Sequence, residues 1–234
     1  MIIKIEASDN VGDSRPIINQ NYLEQWIDLE GVQTAVATFT FSGDADDADL
    51  IVRCLFTCTD SGGSTRRYGY IKSASEAEGI VTVTVVTNSD MAAGDIDFRI
   101  TPHRKVDDYK EEIYIAGVGG LEVDASNSQG KPINDLKLAS YILPVDSNLD
   151  VAAVGGAEAC AYNLYEGAGA LFSAAVDLGS TSEANENRVT ADDDLAAGAN
   201  ITARITSVTG TTTLPQGLHI YTYIVPQILY TLND

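Results

Sequence analysis

From Val32 onward, apolar and polar residues alternate in short runs. Val36, Thr38 and Thr40 interleave with Ala37, Phe39 and Phe41, the period of two that sends successive side chains to opposite faces of a strand. Leu50 to Cys58 predicts a second strand and Arg67 to Lys72 a third, with Asp60-Ser61-Gly62-Gly63 as the hairpin turn between them. Ile80 to Val86 is the most β-branched run. Asp95 to Thr101 follows it, and Glu112 to Ile115 closes the first half. Gly117, Gly119, Gly120 and Asn127 to Pro132 read as a linker. Apolar structure restarts at Leu136 to Leu143. It continues through Ala157 to Tyr165, Ala170 to Leu178, Arg188 to Thr190, Asn200 to Val208 and Gly217 to Val225. Strands of about six residues, punctuated by turn signals every 8 to 12 or so, indicate a sandwich or barrel. Heptads are absent, so no coiled-coil stalk is expected.

One phrase is written twice. Asp90-Met91-Ala92-Ala93-Gly94-Asp95-Ile96-Asp97-Phe98-Arg99-Ile100 returns as Asp194-Leu195-Ala196-Ala197-Gly198-Ala199-Asn200-Ile201-Thr202-Ala203-Arg204-Ile205, with one residue inserted after the glycine. Three further landmarks keep nearly the same offset. Cys54-Leu55-Phe56 meets Cys160-Ala161-Tyr162, Gly62-Gly63 meets Gly167-Ala168-Gly169, and Ile113-Tyr114-Ile115 meets Ile220-Tyr221-Thr222. Four matches in one order predict a tandem duplication. In each copy the Met or Leu would plug the end of a sandwich, and the glycine would supply a positive φ at the entry to a strand. The expected fold is all-β: two tandem, related β-sandwich domains, immunoglobulin-like or jelly-roll-like, behind an irregular N-terminal arm. The expected division is an arm at 1–28, a first domain at 29–116, a linker at 117–135 and a second domain at 136–234.

The hydrophobic content of 44% lets each half bury a core. The formal net charge is -20, from 34 acidic and 14 basic side chains. Such a surface repels phosphate backbones and anionic bilayers, which argues against nucleic-acid and membrane partners and suits a basic protein surface. The opening Met1-Ile2-Ile3-Lys4-Ile5 carries no secretory signal pattern, and nothing approaches the length of a membrane-spanning helix. Cys54 and Cys58 would share a strand face about 13 Å apart. A disulfide needs Cα atoms within about 7 Å. The three thiols are therefore expected to stay reduced, as in a protein made in a cytoplasm.

Candidate chemistry is sparse. Asp44-Ala45-Asp46-Asp47-Ala48-Asp49 offers oxygen ligands at calcium-like spacing but lacks the glycine and distal Glu of a calcium loop. It reads as a solvated hairpin tip, and Asp192-Asp193-Asp194 as a turn. His103 and His219 have no convergent ligands in sequence, and no Ser, Thr or Cys sits in a recognisable nucleophile elbow. No enzyme activity, metal or cofactor is expected. Arg66-Arg67-Tyr68-Gly69-Tyr70 is the one basic-aromatic patch. It would stack a sugar or a base, or else pair its charges with neighbouring acidic turns. Tyr109, Tyr114, Tyr162, Tyr165, Tyr221, Tyr223 and Tyr230 read mainly as sandwich packing, with a glycan surface as the alternative. In the arm, Ile17, Ile18, Leu23, Trp26 and Ile27 are apolar anchors in a polar, turn-rich stretch, and are the candidate docking residues; the lone Trp26 reads first as a core plug, with a docking anchor as the alternative.

Residues 27–101 resemble the immunoglobulin-like N-terminal domain of phage baseplate upper proteins. Ile27-Asp28-Leu29-Glu30-Gly31-Val32 is similar to its opening strand phrase. Glu78-Gly79-Ile80-Val81-Thr82-Val83 and Asp90-Met91-Ala92-Ala93-Gly94 are similar to its late strands and the turn between them. Residues 138–225 resemble small β-sandwich modules of phage fibre and head-associated proteins, through Tyr165-Glu166-Gly167-Ala168-Gly169 and the Leu-Ala-x-Gly turn. The resemblance implies a non-enzymatic structural protein on the surface of a tailed-phage virion, made in the host cytoplasm. A capsid decoration, auxiliary or head-fibre-type protein is favoured, and a tail-fibre or baseplate adaptor is the alternative. Its partners would be major capsid, tail or baseplate proteins and further copies of itself. A carbohydrate-binding adhesin, with a glycan as partner, is the reading from another class.

Overall fold

The computed structural model describes residues 26–120, 128–152, 159–179, 182–189, 194–209 and 213–231. The chain is nearly all β and divides into two compact units. Unit 1 takes residues 1–108 and 228–234, and unit 2 takes 109–227. Unit 2 is thus an insertion within unit 1, which differs from the expected serial division at 29–116 and 136–234.

Unit 1 is one seven-stranded antiparallel sheet. Its strands are β1 (Ile27–Leu29), β2 (Val32–Ala35), β3 (Thr38–Ser42), β4 (Cys54–Thr59), β5 (Arg66–Ala77), β6 (Ile80–Thr87) and β7 (Ile96–Lys105). The spatial order is β1-β7-β4-β5-β6-β3-β2. β1 and β2 are therefore opposite edges, although only Glu30 and Gly31 separate them. Six strand spacings in a flat sheet span about 29 Å. Three residue steps reach at most about 11 Å. The sheet must roll until its edges meet. The rings inside agree: Phe39 of β3 stacks on Phe98 of β7 at 4.8 Å and on Phe56 of β4 at 5.3 Å. Val81, Val83, Ile71, Met91 and Ile100 complete this core. Gly31 turns the corner, its N–H donating to Leu29 O at 2.7 Å. A Cβ there would meet Phe39 at 2.9 Å, so the corner needs a residue without one.

The predicted strand at Leu50 to Cys58 is divided. Its first residues belong to helix α1 (Ala45–Ile51), and β4 begins at Cys54. The cause is a reciprocal cap: Asp44 accepts from Asp47 N–H at 3.0 Å, and Asp47 accepts from Asp44 N–H at 3.1 Å. Ala48 and Ile51, three apart, are buried on the inner face. Lys105 closes the other end, its Nζ donating to Leu50 O and Val52 O.

Unit 2 has two sheets facing one core. One runs β14 (Glu183–Asn187), β10 (Ser140–Val151), β17 (Gln216–Pro226), β8 (Lys110–Ile115), with β15 (Asp194–Leu195) also on β10. The other runs β12 (Gly169–Ala170), β11 (Ala159–Glu166), β16 (Ile201–Thr209), β9 (Gln129–Ile133), with β13 (Val176–Asp177) also on β11. Ile113, Ile142, Val145 and Ile220 from the first sheet meet Tyr162, Leu164, Ala203 and Ile205 from the second. Two expectations shift here. β8 closes unit 2 rather than the first half, because Ile113 pairs with Ile220 of β17. The expected linker 117–135 contains β9, which pairs with β16.

The repeated phrase has matching local structure in both units. Phe56 faces Ile100 and Thr57 faces Arg99 between β4 and β7; Tyr162 faces Ile205 and Asn163 faces Arg204 between β11 and β16. Gly94 and Gly198 have φ of 91° and 87°, and Met91 and Leu195 are buried ahead of them. The hairpin glycines Gly63 and Gly167 are also at positive φ. The fourth landmark does not correspond, since Ile113 and Ile220 are hydrogen-bonded neighbours in one sheet. Beyond this motif the units differ, one a single rolled sheet and the other a pair.

Gly69 lies in β5 where Val86 comes closest. A Cβ at Gly69 would sit well inside contact distance of Val86 O. Gly69→Ala is expected to destabilise the protein by about 3 kcal/mol, at the upper end of overpacking costs. Chemical denaturation checks this; a loss under about 1 kcal/mol would show that β5 and β6 part easily.

Candidate functional site

The docking residues proposed for the arm fall on both sides of the described boundary. Ile17, Ile18 and Leu23 lie outside the described residues. Trp26 is buried in unit 1, as the core-plug reading of a lone tryptophan expects, rather than presented on an arm. Ile27 belongs to β1, where its backbone pairs with Ile100, and its side chain is half-exposed.

Trp26 is held by the other end of unit 1. After β17 the chain enters a short helix, α2 (Ile228–Thr231), and returns to the first unit. Trp26 Nε1 donates to Leu229 O at 2.8 Å, and its ring lies 5.4 Å from that of Tyr230. Tyr230 also meets Tyr68 at 5.5 Å and donates its hydroxyl to Gly69 O at 3.2 Å. Arg66 Nη1 donates to Tyr230 O at 2.7 Å. The basic-aromatic patch is thus engaged within its own unit. Arg67 forms a buried pair with Asp95 at 3.1 Å and donates to Asp90 O at 2.6 Å. This clamps the first copy of the repeated phrase, and it is the pairing with an acidic turn expected for the patch. Arg53 lies over Tyr70 at 4.6 Å.

Other candidates are also engaged in structure. Asp44 and Asp47 cap α1 rather than forming a hairpin tip. Asp192 and Asp193 lie outside the described residues, and Asp194 accepts from Gln227 Nε2. Asp60 holds the β4–β5 turn. Hydrogen bonds from Thr65 and Ser64 draw its carboxyl down to about 2. All three cysteines are free and buried. Burial pushes Cys58 and Cys160 up to about 12, so neither is a thiolate near neutrality. Burial also raises Cys54, despite the Lys105 ammonium 3.2 Å from its sulfur. The side chain of His103 lies outside the described residues.

Among the described residues, an exposed cluster occupies the outer face of β8, β17 and β10. His219 of β17 sits between Glu112 of β8 (Nδ1 to Oε1, 2.5 Å) and Asp150 of β10 (Nε2 to Oδ1, 3.1 Å). Tyr114 lies tilted against it at 4.6 Å, Tyr221 stacks on it at 6.0 Å, and Lys110 covers Tyr221 at 3.7 Å. Tyr223 donates to Asp146 at 2.9 Å. Alternation along Gly217 to Val225 places His219, Tyr221 and Tyr223 on one face, a signal present in the sequence; of the three, Tyr223 is buried and lies outside the exposed cluster. Glu112 and Asp150 join only through strand order, which no spacing along the chain reveals. The other tyrosines are not part of this surface. Tyr162 is fully buried in the core, and Tyr165 lies beneath Arg204.

No family model and no curated protein matches the chain. Among solved structures, the crystal structure of dimeric latent PorU from Porphyromonas gingivalis is similar over 88% of this chain. It has 10% identity and a TM-score of 0.28, and this chain spans 25% of it. A likeness at that level carries no argument about fold or role.

Hydrogen bonding to Glu112 first, then to Asp150, raises the pKa of His219 above its ordinary value; partial burial opposes it. A raised folded pKa gives stability that is fully present below the unfolded pKa and lost as pH rises through the folded one. The melting temperature should therefore fall as pH rises from the mid-6 range through neutrality. That fall should be smaller in His219→Gln. Thermal melts across pH 5.5 to 8.5 or so test this linkage. Identical slopes in the two proteins would show that the bridge contributes nothing.

Proposed function

We propose that this protein is a non-enzymatic structural component of a tailed-phage virion surface, acting through the shape and charge of its β units. The observation that carries the structural half is the employment of its reactive side chains. The thiols are buried, the acidic stretch caps a helix, and the basic-aromatic patch holds α2. Support for the virion half comes from the resemblance of residues 27–101 and 138–225 to phage modules. The net charge of -20 also suits an exposed particle surface. Within that class a capsid-associated position is favoured over a tail-fibre or baseplate adaptor, since the sequence carries no heptads and no coiled coil occurs among the described residues.

A second reading, a carbohydrate-binding module, is favoured by one observation: Tyr114, His219 and Tyr221 line an outer sheet face flanked by Glu112 and Asp150. Rings that meet sugar C–H faces, beside carboxylates that accept hydroxyls, fit a neutral glycan.

Quantitative mass spectrometry of purified particles tests the first reading. Abundance comparable with the major capsid protein is expected. A small fraction of that abundance would place the protein on the tail, and absence from particles would overturn the proposal. For the second, a glycan array should show binding that Tyr114→Ala abolishes. Binding unchanged by that substitution would remove this face from consideration.

A further inference from the structure

Arg66-Arg67-Tyr68-Gly69-Tyr70 is the one basic-aromatic patch of the sequence, and in the fold it receives Tyr230. We infer that Trp26, Arg66, Tyr68 and the backbone of Gly69 form a peptide-docking site. Its ligand is the Ile228–Thr231 segment, and that segment is exchangeable with the same segment of a second copy of this chain.

Three features carry the inference. The contacts have the anatomy of peptide recognition. Two donors, Trp26 Nε1 and Arg66 Nη1, read the main-chain carbonyls of Leu229 and Tyr230. A single aromatic anchor lies between Trp26 and Tyr68, and its hydroxyl reaches Gly69 O. Anchors of this type dominate the affinity of small interfaces. Next, the segment is a helix of four residues. A helix that short has no stability of its own in water and takes its order from what it docks on. Finally, the segment follows β17 of unit 2 directly yet belongs by its contacts to unit 1. The residue before the segment, Gln227, ends unit 2, and its N–H donates to Ala139 O there. A ligand joined to its receptor through a separately packed unit is the arrangement in which an element passes between identical protomers at low cost. The occupant is therefore a second copy's Ile228–Thr231, competing with the chain's own.

The chain has one tryptophan, Trp26, which lies in the site and reports its occupancy. The experiment uses the full chain with a protease site inserted between Gln227 and Ile228. After cleavage, a fluorescein-labelled peptide of residues 228–234 is added. Saturable capture is expected, with a change in Trp26 emission. Unlabelled peptide should displace the label, and the Tyr230→Ala peptide should do so about tenfold less well, as loss of one aromatic anchor implies. No capture, or equal competition by Tyr230→Ala, would overturn the inference. Circular dichroism of the cleaved chain is the second readout: global unfolding on loss of the segment would show a core element rather than a ligand. The uncut chain should also form dimers as concentration rises, by light scattering after gel filtration, and Tyr230→Ala should prevent this. A strictly monomeric wild-type chain would overturn exchange between copies.

Discussion

Unit 1 depends on one geometric constraint: two strands separated by two residues occupy opposite edges of the same sheet. A flat arrangement is out of reach of the chain, so the sheet closes, and closure creates the interior that its apolar faces need. Phe39, Phe56 and Phe98 stand on strands that are not all neighbours, yet their rings form one stack. Gly31 makes the corner passable by leaving that stack undisturbed. The two edge strands that remain, β1 and β2, are short, at three and four residues, which limits the edge open to other chains. Unit 2 meets the same need with two sheets around one core.

The repeated turn is held differently in the two units. Arg67 and Asp95 pair, and Asp95 also accepts from Ala92 N–H, so the turn that carries the repeated phrase is fixed from two sides. In the second copy Ala199 stands at that place. The turn is held instead by backbone bonds: Gly198 N–H to Leu136 O and Leu136 N–H to Ala199 O. The same turn geometry is thus secured once by charge and once by main chain. Breaking a buried pair by removing one partner typically costs about 3 to 5 kcal/mol. The first copy is therefore the more sensitive to single substitutions.

Much of the fold was legible in the sequence. Alternation gave most of the strands in unit 1 and the second half, and the glycine-bearing turns lie where the repeat placed them. What escaped had physical causes. At Leu50 and Ile51 the apolar signal was read as strand, but the Asp44–Asp47 cap had already committed the preceding residues to a helix. Ile113-Tyr114-Ile115 resembles Ile220-Tyr221-Thr222 because both are strands of similar burial in one sheet, not because they correspond. The insertion of unit 2 was invisible, since no composition shift marks a chain that leaves a domain and returns. The patch at Arg66 to Tyr70 was legible as pairing with acidic turns, which Arg67 does with Asp95, and as a stacking surface for a sugar or base. That it would meet Tyr230, 164 residues beyond Arg66, follows only from the fold. The cluster around His219 was half legible, its tyrosines from alternation and its carboxylates not at all.

The nesting of one unit inside the other bears on the order of events during synthesis. Domains fold as units, and earlier segments emerge first. Residues 26–108 leave the ribosome before any of unit 2, yet the cover for Trp26 arrives only when residues 228–231 have followed the whole of residues 109–227. The unit that begins first is finished last. In a nascent chain Trp26 and Tyr68 lack their contacts with Leu229 and Tyr230 throughout the making of the inserted unit, so the first unit is completed only when its own last segment returns to it.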